Sequence, residues 1–497
     1  MKRIHLFLFY IFVLSTAVLS VTINIAQEGD PRTFDPHFGN DGFSLRINRL
    51  LYSRLLEKNS DMETILGLAK SYKFVDNKTI DFTLKDNVFF QNGKNLTSED
   101  VKFSFERMKN SSRIAGLLPP IKEIIIKDSY NFRMILEKPF SAVIEQLTHP
   151  ALSIVSKNYL EENPQILVEH PMGTGKYTLE NWIPGEKVVL KRFENYFGTK
   201  PAYEKINIKI IPLATNRTIA LETDEADIAL SLPPQDKKII DANPNLRFIS
   251  TPSYSYTYMG LNLKKDIFKD VNIRKGINLA IDKEAILEVV LNGDGEIANS
   301  PVAKGIKGYN SSLKNIGYDK SEASKLLIPL KNKTLTLATM SNSIDIQTAE
   351  IIAGYLKEVG VDIQIAVLEP SIYWVKTNSG EFDMFIGSWG SVTGDSDYAL
   401  YPTHHSNAFG PPGNRTFFNN KQVDNLLEEA RSTLDENKKE YIYQKIQEII
   451  VDNSSEVMLF YRDLNGAVNK KIQGFELYPI PIHDYSLGTI HQTDDSN

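Results

Sequence analysis

Two series of short β-branched runs alternating with helical stretches constrain this 497-residue chain more than any other feature. The first series holds Val21–Ala26, Ile206–Ile211, a helix over Asn216–Thr223 and the short strand Ala226–Ala229. The second runs through Leu335–Thr339, the helix Asp345–Val359, Val361–Val367 and Phe382–Ile386. Strands alternating with helices read as βαβ units and a largely parallel sheet. The length exceeds one ordinary core, so the organisation is an α/β protein of two lobes. Between the first strand and its sequel, residues 62–148 read as a compact α+β unit. Ile80–Leu84 and Val88–Phe90 are expected to form a hairpin, with a further strand pair at Ile121–Lys127 and Asn131–Leu136. A helix starts at Thr97-Ser98-Glu99-Asp100, where an N-cap residue precedes an acidic first turn. Phe43–Leu56 is predicted helical from its apolar spacing, Ser253–Leu263 an alternating aromatic strand, and Asp270–Val290 a pair of amphipathic helices. The chain closes with helices over Val423–Leu434 and Lys438–Val451 and the strand Val457–Tyr461. If that strand returns to the first lobe, two segments join the lobes, and a hinge with a cleft follows.

The N-terminus carries Lys2 and Arg3, an apolar run over Leu6–Leu14, and Val18-Leu19-Ser20 as a cleavage triplet. That is the pattern of a secretory signal over residues 1–20, with the mature chain starting near Val21; retention of the segment as a membrane anchor is the alternative. The chain contains no cysteine, which removes thiol chemistry, cysteine metal sites and a lipid anchor on cysteine. The 62 acidic and 56 basic residues are well mixed, with no basic stripe of the kind that tracks nucleic acid. No GxSxG elbow or HExxH pair points to a hydrolase. Gly173-Thr174-Gly175-Lys176 lacks the spacing of a phosphate loop and reads as a turn.

The candidate site is the stretch from Phe385 to Asn420. A strand breaks into Gly387-Ser388-Trp389-Gly390, continues as a polar loop holding Ser391, Thr393, Asp395 and Asp397, and enters a helix near Tyr398–Leu400. Such a loop sits at the carboxyl edge of a sheet, where open α/β folds bind ligands. Trp389 could cover an apolar chain while an acid captures an ammonium group. Either acid could instead cap the helix; Asp395 is the better ligand contact and Asp397 the better cap. Asn414 and Arg415 lie in a glycine-flanked loop from which the guanidinium could reach a carboxylate, or form a surface ion pair. The adjacent His404 and His405 point to different faces and make a poor chelate. Tyr254, Tyr256 and Tyr258 share one strand face, as core or as cleft wall; Tyr258, at the lobe junction, and Phe38, after the first strand, are the aromatic candidates.

Four stretches, QNGKNLTSEDVKFSFERM (91–108), HPMGTGKYTLENWIPGEKVVLKRFENYFG (170–198), YMGLNL (258–263) and FKDVNIRKGINLAIDKEAI (268–286), resemble the extracytoplasmic solute-binding proteins of peptide ABC importers. This is the family 5 class of dipeptide, oligopeptide and nickel binders, and the resemblance covers essentially the whole mature chain. LTHPALSIVS (147–156), VTGDSDYALYP (392–402) and NRTFFNNKQVDNLL (414–427) are most similar to its glutathione-binding members. Dipeptide binders hold the peptide ammonium with an Asp three residues after the tryptophan. Val392 occupies that position here, and Asp395 stands where glutathione-type binders place an acid. The resemblance implies a two-lobed periplasmic-binding-protein fold. Lobe I would comprise 21–50, 165–258 and 463–497, the inserted subdomain 51–164 and lobe II 259–462. It also implies a monomer without cofactor that captures glutathione or another small peptide outside the cytoplasm and delivers it to a membrane permease. A general di- or oligopeptide binder, or a nickel or haem binder, is the alternative within the class.

Overall fold

A computed structural model describes residues 22–39, 41–111, 114–483, 485 and 489–490; the signal segment 1–20 lies outside them. One eleven-stranded sheet runs through both halves of the chain. In the first half, Thr22–Gln27 pairs parallel with Lys205–Ile210 and with Ile228–Leu230, while Tyr177–Ile183 and Lys187–Arg192 extend the sheet antiparallel. In the second half, Thr334–Met340 pairs parallel with Asp362–Leu368 and with Met384–Gly390.

The two halves are joined by two long antiparallel strands, Leu246–Leu261 and Glu456–Asn469. Residues 246–252 pair with 463–469 at the first-half end, and 256–260 pair with 456–461 at the other, with an irregularity between Pro252 and Tyr256. The sheet is thus mixed rather than largely parallel, because its centre is this ribbon. The strand predicted from Ser253 begins at Leu246, and the one predicted to end at Tyr461 continues to Asn469. The expected lobe boundaries, 258/259 and 462/463, fall inside these two strands. Breaks in pairing such as that at Pro252 are where a ribbon bends, and here the break lies midway between the two halves.

The insertion has its own four-stranded sheet, ordered Ala69–Phe74, Thr79–Leu84, Asn131–Leu136 and Ile121–Ile126. Phe82 and Phe132 stack at 5.1 Å in its core. The hairpin partner of Thr79–Leu84 is Ala69–Phe74 and not Val88–Phe90, which forms only an isolated bridge from Phe89 to Asn95. Val88 and Phe90 are nonetheless buried, so their apolar spacing reports core packing rather than a strand. Tyr478, Ile480 and Ile482 of the C-terminal tail are buried in the same core. Each such residue contributes about 1.5–3 kcal/mol relative to exposure, so the tail ties the insertion to the first half.

The helix predicted over Phe43–Leu56 spans Gly42–Leu51. It ends where the Gly173–Gly175 turn crosses it: Gly175 donates its N–H to the Leu51 carbonyl at 3.0 Å. A Cβ on Gly175 would lie 2.3 Å from the Leu51 carbonyl carbon and 2.4 Å from the Leu50 oxygen, so this glycine serves close backbone approach. Gly175→Ala is expected to destabilise the protein by about 2 kcal/mol, read as a lower urea midpoint. Gly317→Ala, where nothing lies within 4 Å of the added Cβ, is the control; equal midpoints would contradict the packing argument.

Candidate functional site

Met384–Gly390 is held antiparallel to 255–261, with Gly390 opposite Ser255. A Cβ on Gly390 would meet that of Ser255 at 2.6 Å, so the strand can close on its neighbour only with glycine here. Beyond it the loop knots on itself. Ser391 donates its backbone N–H to the Tyr254 carbonyl (2.9 Å), its hydroxyl donates to the Asp395 carbonyl (2.7 Å), and the Asp395 N–H donates back to that hydroxyl (3.0 Å). Gly394, at φ +75°, makes the turn. Asp395 then caps the helix Ser396–His404, accepting from the Tyr398 N–H at 3.0 Å and from the Thr393 hydroxyl.

The cap is therefore Asp395, correcting the assignment to Asp397. The chain is extended at Asp395 (φ −124°, ψ 159°) and helical from Ser396, so Asp397 is already inside the first turn. Its carboxylate forms two hydrogen bonds with Arg431, at 2.7 and 2.9 Å. Burial, with the Asp397 charge next, lifts the Asp395 carboxyl from its ordinary 3.8 to about 6; Glu145 adds to the rise, and the bonds from Thr393 and Tyr398 oppose it.

The loop–helix unit meets the insertion along a seam. The Tyr398 hydroxyl lies 3.4 Å from His149 Nε2, Ser141 donates its N–H to the Arg431 carbonyl at 2.6 Å, and Lys138 pairs with Glu428 at 2.5 Å. Burial, followed by the charge of Arg54, pushes His149 down to about 3, so its ring is neutral and Nδ1 accepts from the Ala151 N–H at 3.1 Å.

The remaining candidates fall elsewhere. The Trp389 indole donates to the Tyr398 carbonyl at 3.1 Å and stacks on the Tyr398 ring at 5.9 Å. Tyr258 is buried against Tyr256 at 5.0 Å, with its hydroxyl hydrogen-bonded to Arg415. The Arg415 guanidinium sits 4.4 Å from the Trp374 ring centroid, and its Nε donates to Asn378 at 2.8 Å. Asn414 is fully buried: its amide donates to the His405 and Phe418 carbonyls, and its oxygen accepts from the Phe418 N–H. Its side chain frames the loop rather than facing open space. Phe38 is 43% exposed in the first half, beneath the Arg107 guanidinium at 5.0 Å. His404 is buried beside Thr403, and His405 stacks on Tyr401 at 4.3 Å; among the described residues no group of three or more His, Asp or Glu is placed to hold a metal.

One cavity was not signalled by any motif. It measures about 810 Å³ and opens beside the break in the ribbon at Pro252, within the 300–1,000 Å³ range of ligand pockets. Its walls come from the ribbon (Pro252, Tyr254, Tyr461), the tail (Leu477, Pro479) and, from the second half, Gly305. Tyr254 connects it to the loop: a Cβ on Gly394 would lie 3.6 Å from the Tyr254 ring, and Val392 and Tyr254 both pack on the insertion core. Val392 thus lays apolar surface against the insertion core.

The model of the bacterial extracellular solute-binding proteins, family 5, matches residues 63–411, and the chain belongs to that family. It is 27% identical over 493 residues to the probable D,D-dipeptide-binding periplasmic protein DdpA of Escherichia coli K12, covering 96% of each chain. It is 28% identical over 478 residues to the glutathione-binding protein GsiB of Salmonella typhimurium, covering 93% of each. The fold is similar to that of the ABC transporter-associated periplasmic binding protein DppA from Helicobacter pylori, solved in complex with the peptide STSA. The TM-score is 0.88 at 25% identity, over 95% of this chain and 98% of that one. Among the described residues no helix is long and apolar enough to cross a membrane.

Proposed function

We propose that this protein is the extracytoplasmic capture component of a peptide ABC importer, exported by its N-terminal signal and acting as a monomer without cofactor. It takes a small peptide into the hinge cavity, closes over it and presents it to a membrane permease, with no chemistry on the ligand. The observation that carries this reading is the cavity of about 810 Å³ where the ribbon, the tail, the insertion and the second half converge. A pocket assembled from several separately moving parts is shaped by closure, and closure is driven by a ligand's differential affinity for the closed form.

Two side chains that stand outside the cavity's own lining are proposed to meet the ligand's ends. Asp395, lifted above its ordinary value by burial and then by the charges of Asp397 and Glu145, is paired with no cation among the described residues, and a peptide ammonium would supply one. Arg415, laid on Trp374, offers its remaining N–H groups to a carboxylate. Thr393 and Ser391 hold Asp395 in place, Trp389 braces Tyr398 beside it, and Asp397 anchors the helix behind it. Dipeptides and glutathione, the ligands named for the relatives above, are the classes to test first.

A thermal-shift series on the mature chain with reduced and oxidised glutathione, di-, tri- and pentapeptides and Ni²⁺ tests the reading. A peptide at 100 times its dissociation constant stabilises by about 2.7 kcal/mol, a shift of roughly 2 °C. Stabilisation by Ni²⁺ alone, with no response to any peptide, would exclude peptide capture.

A further inference from the structure

The charges on the cavity wall are unequal. Asp61, Glu296, Asp463 and Glu476 line it, against Arg247 and Lys304, four carboxylates against two cations and a formal balance of −2. They come from the insertion, the second half, the ribbon and the tail. Lys304 is already paired with Glu296. The nearest further cation along the ribbon, Arg462, interacts with Asp345 and Asp294. What remains facing the cavity is Arg247 together with Asp61, Asp463 and Glu476. Asp463 accepts a hydrogen bond from the Ser250 hydroxyl at 3.1 Å and has no ion-pair partner among the described residues. An open cavity walled on several sides by one sign of charge concentrates ligands of the other sign. Glutathione, with two carboxylates and one ammonium, is net anionic and meets this wall with the wrong sign.

We infer that the hinge cavity selects peptides of net positive charge, those carrying a Lys or Arg side chain, over neutral peptides and over anionic ones such as glutathione. The inference rests on the proposed peptide capture and specifies the charge class of its ligand. The peptide's two ends are left to Asp395 and Arg415, as proposed above, and the wall acids Asp61, Asp463 and Glu476 receive the basic side chain. Because the wall is open to water, the preference is sensitive to salt.

Calorimetric titration of the mature chain with Lys-Ala-Ala, Ala-Ala-Ala, Glu-Ala-Ala and reduced glutathione tests this at low salt and at about 0.5 M salt, where the Debye length falls below about 8 Å. Lys-Ala-Ala is expected to bind about tenfold or more tighter than Ala-Ala-Ala, with Glu-Ala-Ala and glutathione weaker still. The spread should narrow in high salt, and also in the exposed-site variants Asp61→Asn and Glu476→Gln. Equal affinity across the tripeptides, or tightest binding of glutathione, overturns the charge selection and leaves peptide capture standing. Binding of none of the four overturns both.

Discussion

Asp397→Ala is expected to lower the stability of the ligand-free protein by about 3–5 kcal/mol, the cost of leaving one partner of a buried ion pair alone. Asp397 and Arg431 are 3% and 15% exposed, and the guanidinium, held by two hydrogen bonds, is pressed to 3.1 Å from the Tyr401 ring centroid and 5.1 Å from that of Phe140. Alanine would leave that cation enclosed by aromatic rings and without its acid. The same residue accepts the Ser141 N–H through its backbone carbonyl, so displacement of Arg431 also loosens the seam with the insertion. Urea unfolding of the single variant, and of Asp397→Ala combined with Arg431→Met, separates the causes. If the cost is the orphaned charge, removing the charge in the double variant recovers more than half of it. A single variant within about 1 kcal/mol of the wild type would mean that water reaches the guanidinium and the pair is not structural.

The sequence signals that proved reliable were local ones. Thr97 and Asp100 predict a helix start, and in the structure the Asp100 carboxylate reaches back over the first turn: the Thr97 N–H and hydroxyl both donate to it at 3.0 Å. The parallel pairings of Thr22–Gln27 and of Thr334–Met340 follow from β-branched runs separated by helices. The ribbon was only half legible. The strand was expected only from Ser253, yet residues 246–252 are in register with 463–469, a pairing more than 200 positions distant that no window can sense. The cap was assigned to Asp397 instead of Asp395 because either acid can precede a helix. Gly394, at positive φ, fixes the helix start one residue after Asp395, and Arg431, 34 positions away, claims Asp397. The wall of the cavity left no trace in any spacing, since its charged residues come from distant segments that only the closed fold assembles.

Asp395→Asn is expected to have opposite effects on stability and on binding. The folded chain holds the Asp395 carboxyl at about 6, above its ordinary 3.8, so the folded state binds that proton more tightly than the unfolded one. The contribution to stability is complete below pH of about 4 and is lost as pH rises through about 6. At pH 7 the ionised group therefore weighs against folding, and asparagine, which retains the capping oxygen, should stabilise the ligand-free protein by about 1–2 kcal/mol. The gain should vanish near pH 4. On the proposed role, the same substitution removes the carboxylate that receives a ligand ammonium, a charge-assisted bond worth about 1.5–3 kcal/mol, and affinity falls about 10- to 100-fold. Wild-type affinity should also decline as pH drops below about 6, because the proton and the ammonium compete for one carboxylate, whereas the variant should show no such decline. Melting curves at pH 4, 5, 6 and 7 with parallel peptide titrations give both readings. A variant that is stabilised at pH 7 but binds as the wild type does would reduce Asp395 to a helix cap. One that loses both stability and binding would show that the carboxylate holds the loop together, with the ammonium received by another group.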